Sequence, residues 1–244
     1  MGQTNPLEQF EIRRLIDLKI GGIDASFTNS SLFMVLIIVL TTVFVLYAMR
    51  KRAMVPGRFQ LMAELTYEFI AGMVRDNVGK EGMPYFPFVF TLFMFILFAN
   101  LLGMVPYSFT VTSHIIVTFA LAIVVCVGVT VIGFMRHGLK FLGLFAPAGV
   151  PLVLLIILVP IEIISYVVRP CSLSIRLFAN MMAGHTLMKV FASFVISLGL
   201  LAGWVPILLI SALNGLEVGI AMLQAYVFVI LTCLYLNDGV HMHH

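Results

Sequence analysis

Residues Pro160–His185 read PIEIISYVVRPCSLSIRLFANMMAGH, and the fold turns on them. The stretch is apolar enough to lie in lipid, yet it carries Glu162, Arg169, Arg176, Asn180 and His185. A charged side chain at the bilayer centre costs at least about 2.5–3.5 kcal/mol on insertion scales. A segment that served only as an anchor would use leucine. These groups need partners or water, and ion traffic is the reading that accounts for them. Glu162, Arg169 and Arg176 follow one another at seven-residue steps, so on a helix they form one slowly drifting stripe. Asn180 extends it at i+4 from Arg176. His185 lies nine residues beyond Arg176, which at about 100° per residue is roughly the opposite face. One helix therefore presents polar groups to two different places. Pro170 removes a backbone donor and crowds the carbonyl of Tyr166, and Pro160 does the same to Ile156, so bends are expected at both.

Outward from this stretch the composition agrees. Of 244 residues, 61% are hydrophobic and 10% charged, and the mean hydropathy is +1.12, which excludes a soluble domain. From Gly82 to Met135 there is no Asp, Glu, Lys or Arg, a run far longer than the ~20 apolar residues of one crossing. The chain reads as an all-α polytopic membrane protein. Residues 1–30 form an outer-side N-terminal segment, and residues 31–244 form a single membrane domain. The net charge of +3 is small and the basic residues cluster, so they read as topology signals and not as a nucleic-acid surface. Cys126, Cys171 and Cys233 lack CxxC spacing and lie in apolar stretches, as buried thiols do. Neither a signal peptide nor a transit peptide is evident at the start.

In chain order, Leu7–Ile20 is expected as a short surface helix, with Asn5-Pro6 and Gly21-Gly22 as breakers. A span is expected over about 31–49. Arg50, Lys51, Arg52 and Arg58 follow it, which places that end on the inner side and the N-terminus outside. Residues 58–78 alternate Phe59, Met62, Leu65, Tyr67, Phe69, Ile70 and Met73 with Gln60, Glu64, Glu68 and Arg75. They predict an amphipathic helix on the inner surface, which is compatible with docking a soluble partner. Spans follow over about 85–105 and 111–135, and Arg136 and Lys140 mark a second inner loop. Asn100 inside the second span reads as an interhelical hydrogen bond or as a site, the former preferred. His114 reads as interfacial or as a proton-path residue, again with the former preferred.

Two long helices are expected over about 150–197 and 205–236. The first would be on the order of 70 Å long at 1.5 Å per residue, more than twice the ~30 Å hydrocarbon thickness. It must therefore break, bend or tilt steeply. Asn214, Glu217 and Gln224 share a face of the second, and Gly215 and Gly219 form a GxxxG step that lets another helix approach closely. A lone intramembrane carboxylate such as Glu217 marks a functional position. Lys189 snorkels without an assigned role. Tyr166 and Tyr226 read as core packing, with a water-path border as the other reading. Ser172 and Ser174 read as polar residues at a bend. The tail from Asp238 to His244, with three histidines, reads as solvated. No internal repeat is visible, which weighs against an inverted-repeat transporter. Neither HExxH nor GxSxG occurs.

At SIRLFANMMAGH the sequence resembles the a subunits of F-type ATP synthases. The likeness continues in NGLEVGIAMLQAYVF, FANLLGMVPYSFTVTSH, NPLEQF and SFTNSSLF, over nearly the whole chain. The resemblance implies that Arg176 is the essential stator arginine and that Asn180 and Gln224 are its polar neighbours. It also implies that His185 and Glu217 are half-channel positions. Many bacterial members carry a carboxylate at the His185 position and a histidine at the Glu217 position. The exchanged pair here resembles the mitochondrial and alphaproteobacterial branch, as does Glu162, which matches a further acidic position. The fold so implied lays the last two helices strongly tilted, as a hairpin against a ring of c subunits. The implied partners are that c-ring, peripheral-stalk b-type subunits, membrane lipid and protons, with no cofactor, no metal and no nucleic acid. The implied location is a bacterial plasma membrane or mitochondrial inner membrane, with the C-terminus on the inner side. On this reading the isolated chain is not an enzyme but a proton-translocating component of one. The rival from another class is a self-contained cation/proton antiporter that uses the same charges.

Overall fold

The computed structural model describes residues 14–16, 19–20, 23–24, 26–50, 56–105, 108–144 and 151–241. Among them are six α-helices: α1 (Asn29–Ala48), α2 (Arg58–Val78), α3 (Phe86–Gly103), α4 (Ile115–His137), α5 (Leu152–Ala202) and α6 (Trp204–Val240). Short 3-10 segments at Lys80–Tyr85, Val111–Ser113 and Gly138–Leu144 link them. Five segments are long and apolar enough to cross a membrane, and α2 is not one of them. The chain is an all-α polytopic membrane protein.

The N-terminal part differs from expectation. Residues 14–16 and 19–20 of the expected surface helix are strands, and residues 7–13 and 17–18 lie outside the described residues. β1 (Arg14–Ile16) pairs antiparallel with β4 (Phe27–Thr28), and β2 (Lys19–Ile20) with β3 (Ile23–Asp24). Isoleucines at 12, 16, 20 and 23 favour extended backbone.

The described residues divide between two compact units. One draws on Met1–Tyr47, Met94–Ile115 and Leu177–Ala225. There Phe33 packs on Phe109 and Phe44 on Phe98, with centroids 6.1 and 5.6 Å apart. Asn100 is completely buried and donates from Nδ2 to the carbonyl of Ala221 at 3.4 Å, the expected interhelical bond. The other unit draws on Ala48–Phe93, Ile116–Arg176 and Tyr226–His244. In it α2 buries Ile70, Ala71, Met73, Val74 and Val78. Its aromatic face meets α3 through Tyr67 on Phe86 (4.7 Å) and Phe69 on Phe93 (6.4 Å). The face left outside carries Phe59, Leu61, Met62 and Leu65, as a helix lying on a membrane surface does. Tyr226, expected in the core, is instead 37% exposed and packs on Phe69 with ring centroids 5.9 Å apart and planes tilted by 38°.

The expected solvated tail is also corrected as far as His241. Asp238, Gly239 and Val240 belong to α6, and Gly239 and Val240 are buried. Gly239 lies against α4 so closely that an added Cβ would come within 3.2 Å of the Val129 carbonyl oxygen. His137 and His241 bond through Nε2 to the carbonyls of Val240 and Val78, each at 3.0 Å. Arg136 pairs with Glu81. Met242–His244 lie outside the described residues. The helical assignment of α5 continues through both Pro160 and Pro170. The three cysteines carry free thiols, Cys233 buried and the other two half-buried.

Candidate functional site

Two sets of polar side chains stand out, one in each unit. In the first unit, α5 and α6 bring His185 and Glu217 together. Both are buried, at 8% and 5% exposure. His185 Nε2 lies 4.0 Å from Glu217 Oε1 and 3.2 Å from Thr110 Oγ1. Thr110 spends its one hydroxyl proton on the Gly103 carbonyl at 3.2 Å. Its remaining capacity toward His185 is as an acceptor, so Nε2 of His185 is the donor. Gly184, the neighbour of His185, makes room for the carboxylate: an added Cβ would lie 2.5 Å from Glu217 Oε1. Neither oxygen of Glu217 has a hydrogen-bond partner among the described residues, and the same holds for Asn100 Oδ1. An unpaired buried polar group costs about 1–3 kcal/mol and more when charged, so the arrangement calls for water or a proton there. Gln224, seven residues on from Glu217, is buried as well, whereas Asn214 is exposed. The expected three-residue face thus keeps two members.

Arg176 is exposed on α5, beside exposed Ile175. It makes no hydrogen bond or ion pair among the described residues. Asn180 is half-buried. Arg176 outside and His185 inside is the two-faced arrangement that the nine-residue spacing predicts. Gly215 and Gly219 are exposed, and a Cβ at either would meet nothing within 4 Å. The close approach expected at this GxxxG step is therefore not made by another described part of the chain. Spacing shows that two glycines share a face, but not which neighbour uses it.

In the second unit Arg169 is tied down. Its Nη1 donates to Asp238 Oδ2 at 2.8 Å, and its guanidinium lies over the rings of Tyr235 (5.3 Å) and Tyr166 (5.9 Å). The Tyr166 hydroxyl meets Thr130 Oγ1 at 2.6 Å. Ser174, expected at a bend, is buried and bonds Thr118 across to α4 at 3.1 Å. Glu162 is half-buried. Sequence reading missed Asp238 and Thr110. Asp238 had a signal: Glu217, Gln224 and Asp238 fall on one seven-residue series, the same step that links Glu162, Arg169 and Arg176. Thr110 had none, because its contact with His185 spans 75 residues of chain.

Residues 31–237 match the family model described as ATP synthase A chain. The chain is 60% identical to "ATP synthase subunit a" of Paramagnetospirillum magneticum over 246 residues, covering 98% of this chain and all of that one. It is 57% identical to the protein of the same name from Pelagibacter ubique over 242 residues, 99% of each. It is 55% identical to that from Mesorhizobium japonicum over 248 residues, 99% of this chain and 98% of the other. A family match over residues 31–237 and relatives 55–60% identical over nearly their full length show that the chain belongs to the ATP synthase A chain family.

Proposed function

We propose that the chain is the membrane stator subunit of an F-type ATP synthase, guiding protons to and from a rotating ring of c subunits. The observation that carries the reading is Arg176, a guanidinium exposed on an apolar helix without a partner among the described residues. A permanent cation in that setting needs an anion from outside the chain. A ring carboxylic acid fits. Facing lipid, the acid stays neutral. Facing Arg176, it ionises, because a nearby cation favours the charged form. Arginine does not lose its proton in proteins, so it holds the carboxylate without passing a proton onward. It thereby keeps two aqueous half-channels from joining. The exposed Gly215–Gly219 face suits the close approach of a ring helix.

The outer half-channel is assigned to Glu217 and His185, an imidazole being able both to accept and to donate a proton. The unpaired oxygens of Glu217 support this, since a carboxylate serving only packing would be bonded. Gln224 and Asn180 orient Arg176 or its water, and Glu162 serves the inner half-channel. The basic residues after α1 and α4 support an N-terminus on the outer side and a C-terminus on the inner side of an energy-transducing membrane. The b-type stalk subunits hold the chain against the ring's torque. A proton enters by one half-channel, rides the ring and leaves by the other. Each charge crossing supplies about 2.3 kcal/mol per 100 mV to drive rotation. On this reading the isolated chain catalyses nothing and moves no ions in liposomes, whereas an antiporter would. Arg176→Ala in the complete complex abolishes coupled synthesis and leaves the membrane proton-leaky. Normal ATP-driven pumping by that variant refutes the assignment.

A further inference from the structure

The residues between α3 and α4 carry a run of polar side chains to which the function above gives no role. Ser108–His114 reads SFTVTSH. Thr110, Thr112 and Ser113 are buried. Three hydroxyls fold the segment onto itself and onto the end of α3. Ser108 Oγ donates to the Leu102 carbonyl at 2.7 Å, Thr110 Oγ1 to that of Gly103 at 3.2 Å, and Ser113 Oγ to that of Thr110 at 2.6 Å. Two groups are left over. Thr112 Oγ1 and His114 Nε2 are closed to solvent and find no hydrogen-bond partner among the described residues.

Their placement is specific. The His114 ring lies flat on Phe109, with centroids 4.9 Å apart and planes 17° apart. Phe109 adjoins Thr110, whose hydroxyl meets His185, which in turn faces Glu217. His114 itself is half-buried and immediately precedes the first residue of α4. Thr112 Oγ1, His114 Nε2 and both oxygens of Glu217 are thus buried polar atoms of one unit without a hydrogen-bond partner among the described residues, and each needs water to be satisfied. A stacking role alone would be met by phenylalanine or leucine, without an orphaned ring nitrogen.

We infer that His114 stands at the mouth of the proton path to Glu217, where a file of water begins that continues past the hydroxyls of Thr112 and Thr110 to His185. The inference rests on the assignment of Glu217 and His185 to the outer half-channel. A neutral imidazole accepts a proton at its bare nitrogen and releases one from its protonated nitrogen, ending as the other tautomer with no net charge. The water carries the proton past Thr112 and Thr110, and Thr110 only anchors the file, since its own proton is held by the Gly103 carbonyl. His114 collects protons at the mouth, and the file hands them inward.

The test uses the whole complex reconstituted in liposomes, with passive proton flux driven by a potassium diffusion potential. In His114→Ala, flux falls about tenfold or more, still below the 10²–10⁴ that a positioned acid–base group contributes, because water remains in the file. Imidazole added on the outer side restores most of it. A merely structural histidine would not respond to imidazole. His114→Gln keeps size and hydrogen bonding without titrating, so it loses flux while the complex assembles normally, and it decides the matter if the alanine variant does not assemble. Parental flux in an assembled variant, or a loss that imidazole leaves untouched, overturns the inference. Glu217→Gln, measured alongside, separates the two readings. If it blocks flux while the His114 variants do not, only the role of His114 falls. If it conducts normally, the assignment of the half-channel falls as well.

Discussion

Gly184→Ala tests the geometry of the buried pair with a single carbon atom. A Cβ at Gly184 would lie 2.5 Å from Glu217 Oε1, 3.1 Å from Cδ and 3.4 Å from Cγ. Ordinary contact between such atoms begins near 3.5 Å, so the carboxylate must retreat by about 1 Å. It is the far end of a flexible side chain, so it can swing away without parting the helices. The stability cost therefore falls near the bottom of the roughly 1–3 kcal/mol typical of overpacking. Function suffers more. Glu217 Oε1 stands 4.0 Å from His185 Nε2, and a 1 Å misplacement of a reacting group can cost about 10²-fold. Transfer through water tolerates more error, so the expected loss of passive proton flux is about tenfold, with assembly retained on a native gel. Glu217→Asp in the same background withdraws the carboxylate by one methylene and should recover part of the flux. An assembled Gly184→Ala complex with parental flux refutes the reasoning. So do strictly additive losses in the double variant, since residues in contact are expected to couple.

Three further perturbations address packing and docking. Gly133→Ala drives a Cβ into the ring of Phe141, which is buried. A cost of about 1–3 kcal/mol lowers the melting temperature in detergent by several degrees, and an unchanged melt contradicts the contact. The Arg169–Asp238 pair is partly exposed, at 31% and 36% for the two side chains. A double-mutant cycle with Arg169→Met and Asp238→Asn should give a coupling of only about 0.2–1 kcal/mol, and a coupling of several kcal/mol shows that the pair is sealed from water in the assembled complex. Gly215→Leu meets nothing within the chain and leaves the melt of the isolated subunit unharmed, yet it blocks ring docking. Full ATP-driven pumping by that variant removes the glycine face from the interface.

Much of the fold was legible because a bilayer imposes a length rule. Some 20 apolar residues make a crossing, and the basic clusters after α1 and α4 mark where crossings end. The opposed faces of Arg176 and His185 were legible for a similar reason, since 100° per residue is a fixed conversion from spacing to direction. What was not legible depends on neighbours distant in sequence. Leu7–Ile20 carries enough charged and apolar residues to pass for a helix, and only pairing with residues 23–28 makes its latter part strand. Asp238 lies six residues before His244 in a polar stretch, where a charge ordinarily means solvent, and its bond to Arg169 comes from a residue 69 positions earlier.

The polar side chains of this chain follow two economies, and the distinction bears on function more than burial does. Arg169, Arg136, Ser174 and Tyr166 each find a partner inside the chain. Their removal should change stability first and transport second. Arg176 and the oxygens of Glu217 make no hydrogen bond among the described residues, nor does Nε2 of His114. In an apolar surrounding each such group costs free energy that the fold does not recover. A chain under no demand but stability would replace them with leucine, glutamine and phenylalanine. On the proposed function, their compensation comes from an acid on a neighbouring subunit for the guanidinium and from moving water for the other two. The incomplete groups are therefore where proton movement is to be sought, and the complete ones are the frame that holds them.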